Sequence, residues 1–489
     1  MSESLALLLQ HPILLIRCNP LDREWIVSQL LAILPNTQRW RLHIGIERVA
    51  ADSTPFKQML AAVRQATAGG NYILDNYLTA IATLAPWESQ AIYEQIADLF
   101  SRSGARYQLV LIQTDDCPLP LELARFTHEH RWAYPTTTEI TELLHEFNFE
   151  ITERNLRLAT GLAYQDLRMG LTQAIDTPAP DRHLETYRNA RLSLLGVKYD
   201  PPPALTEIGG LNLLVEAIED LQFGFTDTAR TIGLPFPKGW LLVGVPGTGK
   251  SYSAKCIAST LGYPMLSLEI DKIKVGGLTA MARVLEIAKL CAPCVFYMDE
   301  IEKLFTKEDK PLLSLLLTWL QEKDFPVFVI GTLNRIEDLP VETTRAGRFD
   351  RVWEVSAPDE ESRLKLFVLF LKRFDDRFKV KDDYVFNLFD WQRIVDASTE
   401  FVGAEIEQVV INTVLRLKKC DINAEITAAD LLASAESFKS MFKRNTKQIL
   451  QIQNSIEGLA DKSNADERTI LPDRNIDIYA PIVTKFGQF

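Results

Sequence analysis

Short apolar runs alternate with segments of helical periodicity along this chain. Buried strands are predicted at the uninterrupted apolar runs Ile13 to Cys18, Tyr107 to Gln113 and Val327 to Gly331. Between such runs lie stretches whose apolar residues recur at helical spacing, such as about Asp22 to Leu34 and Glu88 to Phe100. Strands that alternate with helices in this way are typical of an α/β fold built on a parallel sheet.

A glycine-rich segment follows the apolar run Trp240 to Val243, and a predicted helix begins at Lys250. Its glycines allow backbone amides to turn towards a polyphosphate, the helix adds its positive end, and Lys250 adds a mobile charge. Ser251 is left free to bind Mg²⁺. The alternative, a glycine-rich turn that binds nothing, is disfavoured because motif and context agree. Nucleoside triphosphate binding is therefore predicted for Gly244, Pro246, Gly247, Thr248, Gly249, Lys250 and Ser251.

Two adjacent carboxylates end the next buried strand, which covers Val295 to Met298. An Asp-Glu pair alone is a weak signal, because many such pairs are solvated strand ends. One helix and one strand after a phosphate loop, however, two carboxylates can divide the work of hydrolysis. We expect Asp299 to hold Mg²⁺ together with Ser251, and Glu300 to polarise the water that attacks the γ-phosphate.

Polar residues also follow the strand at Val327 to Gly331. Asn334 is placed to hydrogen-bond both the γ-phosphate and the attacking water, and the alternative is an asparagine that only caps a turn. Arg345 and Arg348 stand three residues apart in a glycine-containing turn. Such arginines suit a phosphate bound by a neighbouring subunit, where they neutralise charge in the transition state. The alternative is a pair of arginines that form surface ion pairs.

Residues 204 to about 440 resemble an AAA+ ATPase of the subgroup close to FtsH and katanin. The motifs that carry this resemblance are IGGL at 208–211, GVPGTGKS at 244–251 (Walker A), FYMDE at 296–300 (Walker B), GTLNR at 331–335, TRAGRFDR at 344–351 and FVGAEIE at 401–407. With its longer N-terminal region, the whole chain most resembles the AAA proteins encoded as a hypothetical reading frame in algal plastids and in cyanobacteria.

The resemblance implies a P-loop AAA+ core over residues 204–357, a small all-α lid over 358–442, ATP and Mg²⁺ as cofactors, and a homo-hexameric ring. It implies that Asn334 is sensor 1 and that Arg345 and Arg348 act on the nucleotide of the next subunit. It also implies that Gly209 lies beside the adenine and that Gly403 and Ala404 contact nucleotide from the lid. The related proteins suggest a plastid stroma or a cyanobacterial cytoplasm, and a role near photosynthetic carbon metabolism.

The order of elements in residues 1–175 repeats the order of the ATPase region. Leu109 to Glu122 mirrors Phe328 to Glu342, and Gly161 to Ala163 mirrors Gly403 to Glu405. We therefore expect residues 1–175 to be a degenerate AAA+ copy. It lacks a phosphate loop, and Asn76 stands where the second copy has Glu300. An unrelated α/β domain with a similar order by chance is the alternative.

The remaining segments are predicted to connect or to extend these domains. Residues 176–203 contain Asp176-Thr-Pro-Ala-Pro180 and three consecutive prolines at 201–203, so we expect a linker with a short helix over about 184–195. Residues 443–489 form a tail with a polar helix to about Leu459. The charged stretch Asp461 to Arg474 is expected to be poorly ordered unless it packs on a neighbour.

Composition excludes several classes of function. The formal charge is −12, and residues 1–200 carry 18 basic and 23 acidic residues, so neither half resembles a nucleic-acid surface. The start of the chain lacks a basic signal peptide, and no apolar run reaches membrane-spanning length. The six cysteines are scattered, and Cys291 and Cys294 are expected to serve packing rather than metal or redox chemistry.

One position departs from the family pattern. In translocating relatives an aromatic residue projects from the loop at 272–277 into the central pore, and Lys274 occupies its place here. An ammonium group cannot grip a polypeptide as an aromatic ring does, although it can bind an acidic segment. We expect an Mg²⁺-dependent ATPase ring that remodels a protein partner, or else a nucleotide-controlled switch or scaffold with slow turnover. A nucleic-acid motor is disfavoured by the acidity of both halves.

Overall fold

The structure is a computed structural model. It describes residues 9–34, 36–41, 45–46, 70–103, 107–114, 117–132, 134–202, 212–336, 339–381, 385–456 and 459–463. The chain divides into two compact units, Met1–Leu194 and Leu195–Phe489.

The first unit contains a six-stranded sheet whose strands are parallel except for one antiparallel edge pair. Its strands are β1 (Ile13–Arg17), β2 (Thr37–Arg41), β3 (Gly45–Ile46), β4 (Gly70–Asp75), β5 (Tyr107–Gln113) and β6 (Thr127–Arg131). Their order across the sheet is β3-β2-β4-β5-β1-β6, and β2 with β3 is the antiparallel pair. Alternate residues of β1 enter different apolar cores: Ile13 and Leu15 pack in one, Leu14 and Ile16 in the other. Both faces of the sheet are therefore covered, as expected for parallel strands.

Helices of the first unit flank this sheet and then form a separate cluster. They are α1 (Arg23–Ile33), α2 (Tyr77–Ala82), α3 (Pro86–Ser103), α4 (Leu121–Ala124), α5 (Thr137–Glu146), α6 (Glu153–Ala159), α7 (Tyr164–Ala174) and α8 (Pro180–Leu194). The last four bury their own apolar core, which includes Leu143, Leu158, Leu171 and Leu184. Residues 137–194 thus form a small helical subdomain after the sheet.

The second unit contains a seven-stranded sheet. Its strands are β7 (Val197–Asp200), β8 (Gly239–Val243), β9 (Met265–Leu268), β10 (Cys294–Met298), β11 (Val327–Leu333), β12 (Arg351–Glu354) and β13 (Asp461–Lys462). They lie in the order β13-β12-β8-β11-β10-β9-β7, and only β7 with β9 is antiparallel. The central strands β8, β10 and β11 are buried along their whole length. Their carboxyl ends meet at one edge of the sheet, where ligands of such folds bind.

The helices of the second unit again flank a sheet and then form a lid. They are α9 (Asn212–Gly224), α10 (Asp227–Thr231), α11 (Lys250–Leu261), α12 (Ile270–Leu290), α13 (Lys310–Glu322), α14 (Glu360–Leu371), α15 (Arg377–Lys381), α16 (Leu388–Ala397), α17 (Gly403–Cys420), α18 (Ala428–Ser437), α19 (Met441–Arg444) and α20 (Thr446–Ile456). Short 3₁₀ helices cover Ile301–Leu304 and Val341–Thr344. Helices α14 to α18 enclose a core of their own around Phe367, Trp391 and Ile406. The predicted α/β fold with a parallel sheet and an all-α lid is confirmed.

Two details differ from the predictions. Within residues 176–202, which belong to the predicted linker, α8 packs into the helical core of the first unit and β7 joins the second sheet. In the tail, Asp461 and Lys462 pair with β12, while residues 464–489 lie outside the described residues. Each difference reflects a tertiary partner that local patterns do not reveal.

Candidate functional site

The phosphate loop connects the buried strand β8 to helix α11, as predicted. Gly247 and Gly249 have φ values of 85° and 103°, which L side chains rarely adopt. A side chain at Gly244 would collide with the carbonyl oxygen of Val355. Helix α11 begins at Lys250, so its free N–H groups and its dipole face the loop. The loop is therefore shaped for an anion, with glycines where the backbone requires them.

Lys250 is the buried cation of this loop. Its Nζ donates to the carbonyl oxygens of Gly244 at 2.7 Å and Val245 at 3.1 Å, and to Asn334 Oδ1 at 2.9 Å. Burial lowers the pKa of Lys250 to about 8, although the carboxylates of Glu302, Asp299 and Glu300 oppose that shift. A phosphate would offer this ammonium a stronger partner than neutral carbonyls do.

The two predicted Mg²⁺ ligands converge on one hydroxyl group. Tyr297 Oη lies 2.9 Å from Ser251 Oγ and donates to Asp299 Oδ1 at 2.8 Å. Thr332 Oγ1 donates to the same carboxylate oxygen at 2.6 Å. Hydroxyl and carboxylate oxygens at the edge of a phosphate loop are the ligand set that Mg²⁺ uses with nucleotide phosphates. Ser251 and Asp299 therefore fit the metal predicted from the sequence.

Glu300 follows Asp299 in an unusual backbone conformation. Its φ is 54° and its ψ is 51°, in the left-handed region that residues other than glycine rarely adopt. Its N–H donates to Thr332 Oγ1 at 3.1 Å, so one threonine fixes both carboxylate residues. Glu300 Oε2 lies 3.0 Å from Lys303 Nζ, which also lies 3.4 Å from Asp271 Oδ2. The base candidate is thus held by an ammonium shared with a second carboxylate.

Asn334 is held from two sides at the end of β11. It accepts from Lys250 Nζ, and its N–H and Nδ2 donate to Glu302 Oε1 at 3.0 Å and 3.1 Å. The sequence prediction did not include Glu302, and it also missed Tyr297, Thr332 and Lys303. Glu302 and Lys303 lie directly after the carboxylate pair, so their position was the available signal. Their roles depend on contacts with residues up to 32 positions away in the sequence.

The lid reaches the loop through the start of α17. Ala404 N–H donates to the carbonyl oxygen of Gly247 at 3.4 Å, and a Cβ on Gly247 would press against Val402. Gly403 lies at the same contact. In addition, Phe442 and Ile449 of the tail pack with Val245 of the loop. Gly403 and Ala404 therefore lie beside the phosphate loop, and their contact with nucleotide stays a prediction, while Gly209 lies outside the described residues.

The two arginines stand apart from this constellation. Arg345 ends the 3₁₀ helix Val341–Thr344 and is exposed. Arg348 Nη1 donates at 2.6 Å to the carbonyl oxygen of Glu342, which belongs to the same turn and not to the phosphate loop. Arg348 Nε is buried and has no hydrogen-bond partner among the residues that the structure describes. Among the described residues, neither guanidinium group is hydrogen-bonded to the phosphate loop of its own chain, and their action on a neighbouring subunit stays a prediction.

The segment that would line a central pore is partly tied down. Helix α12 is interrupted at Gly277, where φ is 63° and ψ is −153°. Lys274 Nζ lies 2.7 Å from Asp309 Oδ2, and this ion pair lowers the pKa of Asp309. Val275, by contrast, is 92% exposed. The lysine that replaces the pore aromatic is thus engaged within its own unit.

The cysteine pair at the start of β10 gives no sign of chemistry. Cys294 is fully buried, and burial raises the pKa of its thiol well above the ordinary value. Cys291 and Cys294 are not joined by a disulfide. Within the described ranges, no group of three or more His, Cys, Asp and Glu side chains is arranged to hold a metal ion. Cys294 is thus packed in the interior of the second unit, and the packing role of the pair stays a prediction.

Comparisons with known proteins agree with this geometry. Residues 240–357 match the family described as ATPase family associated with various cellular activities (AAA). The chain is 30% identical to the uncharacterized AAA domain-containing protein ycf46 of Guillardia theta over 385 residues, which cover 73% of this chain and 72% of that protein. It is 28% identical to the ycf46 protein of Trieres chinensis over 71% of this chain and 73% of that protein.

A more distant relative is the proteasome-activating nucleotidase of Methanococcus vannielii. The two are 30% identical over 241 residues, which cover 45% of this chain and 57% of that protein. None of the helices in the described part of the chain is long and apolar enough to cross a membrane. Taken with the phosphate loop and its carboxylates, these similarities show that the chain belongs to the AAA ATPase family, alongside the ycf46 proteins.

Proposed function

We propose that this protein is an Mg²⁺-dependent ATPase that forms a homo-hexameric ring, hydrolyses ATP at the boundaries between subunits, and uses the energy to remodel or activate a protein partner. One observation carries the proposal. Lys250, Asn334 and the Ser251 and Asp299 pair gather at one phosphate loop, while Arg348 donates to the carbonyl oxygen of Glu342 in its own turn and not to that loop. A site built this way lacks the charge that the transition state needs until a neighbour supplies it.

Each residue then has a defined task. The loop amides and Lys250 bind the β- and γ-phosphates, and Asn334 orients the γ-phosphate and the attacking water. Glu300 accepts a proton from that water. Ser251 and Asp299 would hold Mg²⁺, which when bound neutralises phosphate charge. Arg345 and Arg348 of the next subunit would neutralise the charge that develops as the γ-phosphate leaves.

The related proteins indicate which kind of partner and which cellular compartment to propose for this chain. The Methanococcus protein is, by its name, a nucleotidase that activates the proteasome. By analogy, we propose a protein client for this chain and no nucleic acid, in keeping with the charge of −12. From the ycf46 similarity we propose the plastid stroma or a cyanobacterial cytoplasm, and a link to photosynthetic carbon metabolism.

A second candidate function is a nucleotide-controlled switch or scaffold with slow turnover. Two observations favour it: the pore-loop residue Lys274 is paired with Asp309, and Glu300 is paired with Lys303. Both pairs restrain groups that an active motor must move. An ATP-dependent change in sedimentation with negligible hydrolysis would support the switch, whereas hydrolysis stimulated by a protein partner would support the motor.

For the domains, we propose that the first unit is a degenerate AAA+ copy without a nucleotide site, followed by the core, lid and tail at 204–357, 358–442 and 443–489. The sheet orders support this. Strands β6-β1-β5-β4-β2 of the first unit run in the same order as β12-β8-β11-β10-β9 of the second. In both units a helical subdomain follows the last of these strands. Two unrelated α/β domains would rarely share both features.

Lys250→Ala tests the proposed function most simply. The substitution removes the ammonium that the loop carbonyls and Asn334 now hold, so we expect ATP binding to weaken by at least 10²-fold. Binding of a fluorescent ATP analogue and release of phosphate would be measured. Lys255→Ala, an exposed lysine on the same helix, is the matched control. Wild-type affinity in Lys250→Ala would contradict the assignment of the site.

Lys303→Met tests how tightly the base is restrained. Loss of this half-exposed ion pair frees the Glu300 carboxylate, so basal turnover should rise by about 2- to 5-fold. Asp271→Asn should have the opposite effect, because Lys303 would then serve Glu300 alone. Steady-state hydrolysis would be measured, with Lys303→Arg as the charge-preserving control. A fall in turnover with Lys303→Met would show that the lysine positions Glu300 productively instead.

A further inference from the structure

The strand registers align the first unit with the second residue by residue. Arg17 lies opposite Gln113 as Val243 lies opposite Leu333. The pairing of β5 with β4 in the first sheet and of β11 with β10 in the second then matches Asp75 with Asp299 and Asn76 with Glu300. Backbone conformation gives an independent check, because Asn76 has a φ of 48° and Glu300 a φ of 54°. The first unit therefore retains the framework of the carboxylate pair.

The helix that follows the first strand extends this alignment. Helix α1 begins at Arg23 after a loop of five residues, and α11 begins at Lys250 after a loop of six. The second residue of each helix is Glu24 in the first unit and Ser251 in the second. Glu24 and Asp75 thus correspond to Ser251 and Asp299, the proposed Mg²⁺ ligands.

A guanidinium group joins these two positions in the first unit. Arg39 Nη1 and Nη2 each donate to Glu24 at 2.8 Å, and its Nε and Nη2 donate to Asp75 Oδ2 at 3.0 Å and 2.5 Å. Arg39 and Asp75 are only 7% and 5% exposed. The buried cation has two anionic partners in bidentate geometry, the strongest pairing available to an arginine. It lies where the second unit would bind a metal.

A carboxylate joins the loop of the first unit to its helical subdomain. Asp22, which is 2% exposed, precedes α1 and accepts from the N–H of Gln165 at 2.8 Å, in the first turn of α7. Trp25 stacks on Tyr164, with ring centroids 4.5 Å apart. In the second unit α17 corresponds to α7, and it starts beside Gly247 of the phosphate loop. A nucleotide phosphate bound in that loop would be the anion next to the start of α17. Asp22 supplies an anion to the helix from within the chain.

We propose that the first unit carries a built-in substitute for nucleotide and metal: Asp22 takes the place of an anion between loop and helical subdomain, and Arg39 takes the place of the cation between Glu24 and Asp75. The inference rests on the proposal that the first unit is a degenerate AAA+ copy. These substitutes would hold the loop and the helical subdomain of the first unit together at all times, whether or not ATP is present. The surfaces of the first unit would then stay constant while the second unit cycles.

Hydrogen exchange of the full chain tests the anionic half. Asp22→Asn should speed amide exchange in residues 164–174 by on the order of ten-fold, because the helix start loses a charged partner. Exchange in residues 250–261 should not change, and Glu153→Gln, an exposed carboxylate of the same subdomain, should leave residues 164–174 unaffected. Saturating ATP should leave these residues unaffected in the wild type. Unchanged exchange in Asp22→Asn, or ATP-dependent protection of residues 164–174, would overturn the proposal.

Divalent rescue tests the cationic half. Arg39→Met leaves Glu24 and Asp75 facing each other, so the first unit should melt at a lower temperature, and 10–20 mM Mg²⁺ (about the range for a weak two-carboxylate site) should restore part of the loss. Arg39→Lys should need no Mg²⁺. Equal melting with and without Mg²⁺ in Arg39→Met would overturn this half. These readouts concern the first unit and not ATP turnover. A result that contradicts the inference about the first unit would therefore leave the proposed hydrolysis by the second unit untouched, and loss of that proposed hydrolysis would leave the inference untouched.

Discussion

Arg348→Ala is expected to slow ATP hydrolysis by on the order of 10³- to 10⁵-fold while ATP affinity stays close to that of the wild type. The reason is geometric. Arg348 bonds within its own turn and not to the phosphate loop, so in the proposed ring its contribution would come at the nucleotide of a neighbouring subunit. Ground-state binding, by contrast, rests on the loop and Lys250. Single-turnover hydrolysis and equilibrium binding of ATP would separate the two effects.

The matched control is Arg373→Ala, which removes an exposed arginine that pairs with Glu407 in the lid. This variant should hydrolyse ATP at nearly the wild-type rate, because exposed ion pairs contribute little. Sedimentation should show that Arg348→Ala still assembles at saturating ATP. If Arg348→Ala instead lost affinity for ATP and kept its turnover of bound ATP, the arginine would be a ground-state ligand and the trans role would be wrong.

Glu300→Gln is the second large effect. It should bind ATP at wild-type strength and reduce hydrolysis by on the order of 10²- to 10⁴-fold, because an amide cannot accept the proton of the attacking water. The substitution preserves the size of the side chain and loses the ion pair with Lys303. Glu308→Gln, an exposed glutamate that follows the same strand, is the control and should be neutral.

Persistent ATP hydrolysis by Glu300→Gln would remove the base from the account. If the variant behaves as expected, it would also hold ATP long enough to trap whatever the ring acts on. Capture of partners by Glu300→Gln, compared with Lys250→Ala, would then identify clients that bind only the ATP state.

Local patterns were enough to predict the elements that carry the site. The strand before Gly244, the helix from Lys250 and the strand before Asp299 are each encoded by a short apolar run beside glycines or carboxylates, so they do not depend on distant residues. The parallel character of the sheet followed from the alternation of strands and helices. The general position of Asn334 at a strand end followed in the same way.

Long-range contacts could not be predicted. Asn334 meets Lys250 across 84 residues, and no local pattern announces that pairing. Lys303 reads as a surface lysine until Asp271 and Glu300 are seen on either side of it. The packing of the predicted linker could not be foreseen for a similar reason, since Pro180 begins a helix whose Leu184 packs into a core formed by residues far upstream. Proline at a helix start looks like a linker when only the sequence is read.

The contacts of the first unit could not be predicted from local patterns either. Absence of a glycine loop predicted the loss of a nucleotide site, but not what replaced it. Arg39 belongs to β2, the second strand from one edge of the sheet, and its partners Glu24 and Asp75 lie 15 and 36 residues away in the sequence. Only the registers of two sheets place that arginine at the equivalent of a metal site.

The most direct test of the account is to mix two inactive variants. Lys250→Ala keeps its arginines but lacks the cradle, and Arg348→Ala keeps the cradle but lacks its arginine. If ATP is hydrolysed at boundaries between copies, random co-assembly of equal amounts should restore hydrolysis at about one quarter of the boundaries. A productive boundary needs Arg348→Ala on the side that supplies the cradle and Lys250→Ala on the side that supplies the arginine. Two inactive preparations that stay inactive after co-assembly, or a wild-type monomer that hydrolyses ATP at full speed, would contradict it.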